Sequence, residues 1–235
     1  MNKDLLVALI LTAGVAASIY RKKLTVTGAV TGGIIGWAVY AGGGFTGLGM
    51  LAAFFLLGTA ATSDPRESTR HGGQVIANGG VAALTGGLIL LVPSEKEYLL
   101  VMMAGSLSAA TADTLSSELG TKFGRRFINI LTWREDQKGL DGVISLEGLM
   151  IGITGSTILA VLYMATRGWN SYSFFAIIIA GTVGNLTDSI LGAALERRGY
   201  LSNDAVNFLG TLAAAATAGL LSCTILPITS TFPPL

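Results

Sequence analysis

Of the 235 residues, 51% are hydrophobic and only 12% charged, with a formal net charge of +1, and the mean hydropathy is +0.64. A soluble domain of this length does not tolerate such a surface, and so small a net charge gives no indication of a charged partner; no nucleic-acid partner is expected. The expected fold class is all-α: a polytopic membrane helix bundle of about eight transmembrane helices, six to eight, forming one integral membrane domain over residues 1–235.

A helix crosses the hydrocarbon core with about 20 mostly apolar residues, and with somewhat fewer where the bilayer is thin or flanking side chains snorkel. The predicted segments are Leu5–Tyr20, Val26–Tyr40, Phe45–Thr62, Gln74–Val92, Tyr98–Ser117, Val143–Thr166, Tyr172–Leu195 and Ala205–Pro227. The second and third are short. Gly42, Gly43 and Gly44 between them make either a tight turn outside the membrane or a re-entrant hairpin within it. The longest stretch outside the membrane runs from Glu118 to Gly142, too short for a core of its own.

Cytoplasmic loops are enriched in Lys and Arg, and these segments distribute the basic residues unequally. One face receives Arg21, Lys22, Lys23, Arg66, Arg70, Lys122, Arg125, Arg126, Arg134, Lys138, Arg197 and Arg198; the other receives Lys3, Lys96 and Arg167. Both termini are therefore expected outside. The Arg21–Lys23 cluster follows the first apolar run instead of preceding it, so that run is expected to stay as a helix, and a prokaryotic plasma membrane is the simplest address. Cys223 is the lone cysteine, which excludes a disulfide within the chain.

A carboxylate inside a membrane helix costs a few kcal/mol on insertion scales and asks for a partner or a purpose. Asp113, within Thr111–Gly120, and Asp188, within Gly184–Gly192, both fall toward the cytoplasmic ends of their helices. Gln74 and Asn78 share a helical face at i, i+4, as do Asn203 and Asn207. Four helices thus supply polar groups at one depth while the outer halves stay apolar, which predicts a polar cavity open to the cytoplasm. The competing structural reading is that Asp113 and Asp188 only pair across the bundle.

Asp113 with Asp188 is the expected Mg²⁺ pair, since this ion takes one or two carboxylates plus phosphates and water. Arg66, Arg70, Lys122, Lys138 and Arg197 are candidates for holding anionic phosphates, or else topology determinants among the headgroups. The loop Gly139–Gly148 leads into the sixth segment, where free N–H groups favour an anion; Asp141, Gly142, Ser145 and Glu147 belong to it, with Asp141 or Ser145 alternatively a plain helix cap. There is no Gly-x-x-x-x-Gly-Lys-Ser/Thr loop, no Gly-x-Gly-x-x-Gly after a strand, and one histidine, His71, which precludes a His-pair zinc site.

The run Gln74–Ala83, the block Ala112-Asp113-Thr114 with Ser117-Glu118-Leu119-Gly120, the loop Gly142–Gly148, the stretch Gly184–Gly192 and the run Leu201–Phe208 together resemble one membrane family, which includes the plant chloroplast phytyl-phosphate kinase of vitamin E (tocopherol) synthesis. The match runs in order from about Arg66 to Leu209. The family's glycine loop usually reads Gly-Thr-x-Gly, where this chain has Gly139-Leu140-Asp141-Gly142. The resemblance implies a CTP-dependent kinase converting a membrane isoprenoid monophosphate, phytyl or geranylgeranyl phosphate, to the diphosphate. It implies a site lined by Asp113, Glu118, Asp188, Asn78, Asp141, Ser145, Asn203, Asp204 and Asn207. On this reading Asp113, Asp188 and Lys122 are catalytic, Mg²⁺ bridges the donor phosphates, and Arg66, Arg70, Gln74, Gly142, Glu147 and Arg197 join the substrate contacts. Two alternatives remain open: a cytidylyltransferase making a CDP-lipid, and a transporter with an ion-binding carboxylate pair.

Overall fold

The structure, a computed structural model, describes residues 2–62 and 69–223. Seven helices among them are long and apolar enough to cross a membrane: α1 (Lys3–Tyr20), α2 (Val26–Ala61), α3 (Gly72–Leu91), α4 (Lys96–Phe123), α5 (Leu146–Arg167), α6 (Ser171–Leu191) and α7 (Asn203–Cys223). Side chains close most of their N-termini: Asn2 accepts from Asp4 N–H, Thr25 from Gly28, Ser145 from Gly148 and Asn170 from Ser173. His71 and Gln74 cap α3 reciprocally.

The second and third predicted segments form the single element α2, broken at Gly44, whose backbone (φ 60°, ψ −151°) is open essentially to glycine alone. A Cβ on Gly47 would lie 2.9 Å from Val39 Cγ1, although a continuous helix would hold residues so spaced about 12 Å apart. Tyr40, near the break, donates to Asp4 at the start of α1 (3.0 Å), while Gly28 and Gly58, near the two ends, both lie against Arg70. Thus α2 is a helical hairpin, and the chain runs back and forth so that, among the described residues, the loops rich in Lys and Arg fall at one end of the bundle.

Two other expectations need correction. The fifth predicted segment continues beyond Ser117 to Phe123, so Glu118 is helical. Residues 143 and 144 do not start the next helix: Val143–Ile144 (β2) pairs antiparallel with Ile128–Asn129 (β1), and α5 begins only after Ser145. The end of the last predicted segment, after Cys223, lies outside the described residues.

Packing centres on α4. It touches α2, α3, α5, α6 and α7, and buries Leu100, Met103 and Leu107. Lipid removes the hydrophobic drive between helices, so close approach of small residues takes over. A Cβ on Gly120 would meet Gly148 Cα at 2.7 Å, and one on Gly42 would meet Gly86 Cα at 2.6 Å. Many hydroxyls within the helices bond back to their own turns, Thr85, Thr111, Thr182 and Thr187 among them, because an unsatisfied group in hydrocarbon costs several kcal/mol; buried Ser108 and Ser156 Oγ are exceptions. By contrast α1 is peripheral: it packs on α2 and buries only Val7 and Ser18.

Candidate functional site

At the basic end of the bundle a cavity of about 610 Å³ opens between α3, α4, α6, α7 and the segment before α5. Helical spacing explains its walls. On α4, Ser116 and Ser117 lie three and four residues after Asp113, and Gly120 four and three residues after them, so all four share a face. Gln74 and Asn78 from α3 and Asn203 and Asn207 from α7 line it too, each pair one turn apart. Asp188 enters from α6, and Asp141, Gly142 and Ser145 from the loop. Glu118 and Arg70 complete this set.

Asp188 is the most constrained of these residues. Its Oδ2 is buried and has no hydrogen-bond partner, and Gly210 packs against it so closely that a Cβ there would lie 3.4 Å from Asp188 Cβ. One turn deeper, Ser116 donates to buried Asn185 (3.4 Å). Asp113, Glu196 and Asp141 all stand near enough to Asp188 for their charges to act on it. A gathering of carboxylates with an orphaned buried oxygen fits a divalent cation. Among the described residues no three His, Cys, Asp or Glu side chains converge on one ion position, so Asp113 and Asp188 would act as a pair, with water and phosphate oxygens as the remaining ligands. That donor set suits Mg²⁺.

Glu196 was not singled out in the sequence. In a regular α-helix it would lie about 80° around from Asp188, but Gly192–Glu196 is π-helical. Its smaller rotation per residue swings Glu196 back over the cavity, which it lines. Ser116, Thr114, Ser189 and His71 also line the cavity. Ser116 was findable, lying three residues from Asp113 on the same face.

Arg70 is the only Lys or Arg lining the cavity among the described residues. Its guanidinium lies over the Phe54 ring, 5.8 Å from the centroid, in space left by Gly58, where a Cβ would meet Arg70 Nη2 at 2.9 Å. Burial lowers its pKa, opposed by the charge of Glu118; an arginine so placed remains a cation at neutral pH.

Several expected residues are elsewhere. Lys122 is exposed and lies over the Phe123 ring (5.6 Å); nine residues from Asp113, it falls on the opposite side of α4. Arg197 is a structural tie, donating from Nη1 to Asp136 Oδ2 (2.8 Å) and from Nε to the Asp141 carbonyl. Glu147 turns away to accept from Arg125 N–H (3.4 Å). Asp204 sits beside the cavity, 4.0 Å from His71 Nδ1. At the start of α5 the Gly148 N–H is already taken by Ser145 Oγ (3.0 Å), so part of the expected anion site is filled by the protein itself. Arg66 lies outside the described residues.

The loop before α5 is held firmly. Gly139 and Gly142 have positive φ (82° and 71°), and a Cβ on Gly142 would lie 2.6 Å from Ala193 N. Asn129 accepts from Leu131 and Thr132 N–H (2.9 and 3.2 Å). The Asp136 carboxyl is held below the usual carboxylate range by hydrogen bonds from Arg197, from Gln137 N–H and from Asn129.

Relatives extend over most of the chain. It is 30% identical over 211 residues to the uncharacterized membrane protein MJ0933 of Methanocaldococcus jannaschii, covering 84% of this chain and 85% of that one. It is 28% identical over 220 residues to the uncharacterized membrane protein sll0875 of Synechocystis, covering 86% and 84%. With Protein VTE6, chloroplastic, of Arabidopsis thaliana, it shares 25% identity over 244 residues, 96% of this chain and 69% of that one. No solved structure matches it significantly. Residues 9–215 match the family described as Integral membrane protein DUF92, and the chain, a multi-pass integral membrane protein, belongs to that family.

Proposed function

We propose that the protein is a CTP-dependent kinase that phosphorylates a membrane isoprenoid monophosphate, phytyl or geranylgeranyl phosphate, to the diphosphate. The observation that carries this reading is the cavity itself: carboxylates from α4, α6 and the loop, amides from α3 and α7 and one arginine meet at the membrane end of an otherwise apolar bundle. The motif resemblance to the family of the plant phytyl-phosphate kinase, together with a chloroplastic relative spanning nearly the whole chain, supports the substrate class.

An oxygen of the acceptor phosphate attacks the γ-phosphorus of CTP; the new P–O bond forms as the β–γ bridging P–O bond breaks, and CDP leaves with the electron pair. The acceptor oxygen is already ionised, so no strong base is required, and positioning with charge neutralisation suffices. Mg²⁺ on Asp113 and Asp188 would neutralise charge on the donor phosphates. Arg70 offsets charge on the acceptor and on the transferring group; Arg197 is engaged by Asp136 and the Asp141 carbonyl, and Lys122 is exposed on the other side of α4. Asn78 and Asn207, on facing helices, orient the two substrates. The basic end faces the cytoplasm, where soluble nucleotide arrives.

The test is transfer of labelled γ-phosphate from CTP, with Mg²⁺ and purified protein, to geranylgeranyl or phytyl monophosphate. Labelled lipid diphosphate and CDP are expected. Pyrophosphate with a nucleotide-linked lipid would replace the kinase by the cytidylyltransferase, and uptake into sealed proteoliposomes without nucleotide would replace both by transport.

A further inference from the structure

A second cavity, of about 240 Å³, lies between α1, α2 and α3. Its walls are apolar, with Leu11 and Val15 from α1 facing Leu48, Leu51 and Phe55 from α2. Its polar lining residues are Ser18, Arg70, Gln74 and Asn78, all toward the basic end of the bundle. Arg70, Gln74 and Asn78 also line the large polar cavity, so the two spaces meet across these three side chains.

From this continuity we infer that the groove between α1 and α2 seats the tail of a single-chain anionic lipid whose head group reaches past Arg70 into the polar cavity. The chemistry is that of an amphiphile: an apolar slot ends at a cation, and a carboxylate-lined chamber lies beyond. Among the described residues Arg70 is the only Lys or Arg lining either space. A groove of about 240 Å³ falls below the roughly 300–1,000 Å³ of a pocket for a drug-sized ligand; it holds part of one slender chain, the remainder lying against lipid, and not a pair of acyl chains. Its outer wall, α1, is the least enclosed helix, which leaves the slot accessible from the bilayer. Gly14 and Gly32 keep it open: a Cβ on Gly14 would meet nothing within 4 Å, and one on Gly32 only Val75 and Leu24 at 3.8 and 3.9 Å. The inference rests on the proposed kinase reading for what happens to the head group, not for where the lipid binds.

The test uses the full-length protein in nanodiscs and a prenyl monophosphate carrying a diazirine at its tail, with labelled peptides mapped after irradiation. Labelling is expected on residues 10–18 and 48–55, competed by unlabelled prenyl monophosphate and weakened by Arg70→Gln. Gly32→Leu and Gly14→Leu, which fill the slot without a close contact at Cβ, should each cut it about tenfold, the loss of roughly two buried methylenes. Gly87→Leu, at a glycine equally free of neighbours but outside the groove, should leave it unchanged. Labelling confined to other surfaces, equal labelling by the phosphate-free prenyl alcohol, or no effect of either groove variant would overturn the inference. Groove labelling without phosphoryl transfer would retain it and remove the kinase reading; transfer with labelling elsewhere would do the reverse.

Discussion

Asp188 holds a buried carboxylate oxygen with no partner, a cost that a purely structural ion pair across the bundle would have removed. Among the described residues no Lys or Arg forms an ion pair with it or with Asp113, which argues against the reading in which the two aspartates only hold helices together. Asp113→Asn and Asp188→Asn are therefore each expected to lower turnover by about 10²–10³-fold while the protein still elutes as a folded species in detergent. An active variant would remove that residue from the site. Both aspartates were legible in the sequence, because a carboxylate within an apolar run has no cheap explanation. Lys122 and Arg197 were misplaced because a one-dimensional loop assignment says nothing about which side of a helix end a long side chain takes.

Among the elements, the loop before α5 and the hairpin α2 shape the site most. Arg197 ties the loop to the end of α6 through Asp136, whose carboxyl is held below its ordinary pKa in the fold. Its contribution is therefore fully present above the ordinary carboxylate pKa of about 3.9 and is lost as pH falls through the lowered value. Hydrogen exchange over residues 124–145 should show protection that persists from neutral pH to about pH 4 and fails below it, whereas Asp136→Asn should lack that protection throughout. Equal protection in both proteins would contradict the tie. In α2, Gly44→Ala meets no neighbour, so its effect isolates backbone conformation: a loss of about 1–3 kcal/mol, read as a lower thermal midpoint in detergent. The glycine run marked this bend in the sequence. The π-helical turn that brings Glu196 to the cavity had no such mark, since its residues, Gly192 to Glu196, suit an α-helix equally well.

For the whole molecule, the alternation of helices and the one-sided placement of Lys and Arg were readable from the order of apolar runs and basic residues along the chain, because lipid permits few spanning structures. The joining of a polar chamber to an apolar groove was not, since it depends on α1 and α3 meeting the two legs of α2. Sidedness has a convenient reporter in Cys223, the last residue of α7, at the end away from the cavity. A membrane-impermeant maleimide should label it in intact cells, and a cysteine placed at Arg134 in a Cys223→Ser background should react only after permeabilisation. The reverse pattern would put the cavity outside, away from cytoplasmic nucleotide.

Phosphorus NMR of purified protein mixed with CTP, Mg²⁺ and geranylgeranyl monophosphate tests the central claim most directly, because it reports every phosphate product at once. The account predicts CDP and lipid diphosphate appearing in equal amounts, and neither appearing with Asp188→Asn. Release of pyrophosphate, or no consumption of CTP by a folded protein with either isoprenoid acceptor, would contradict it.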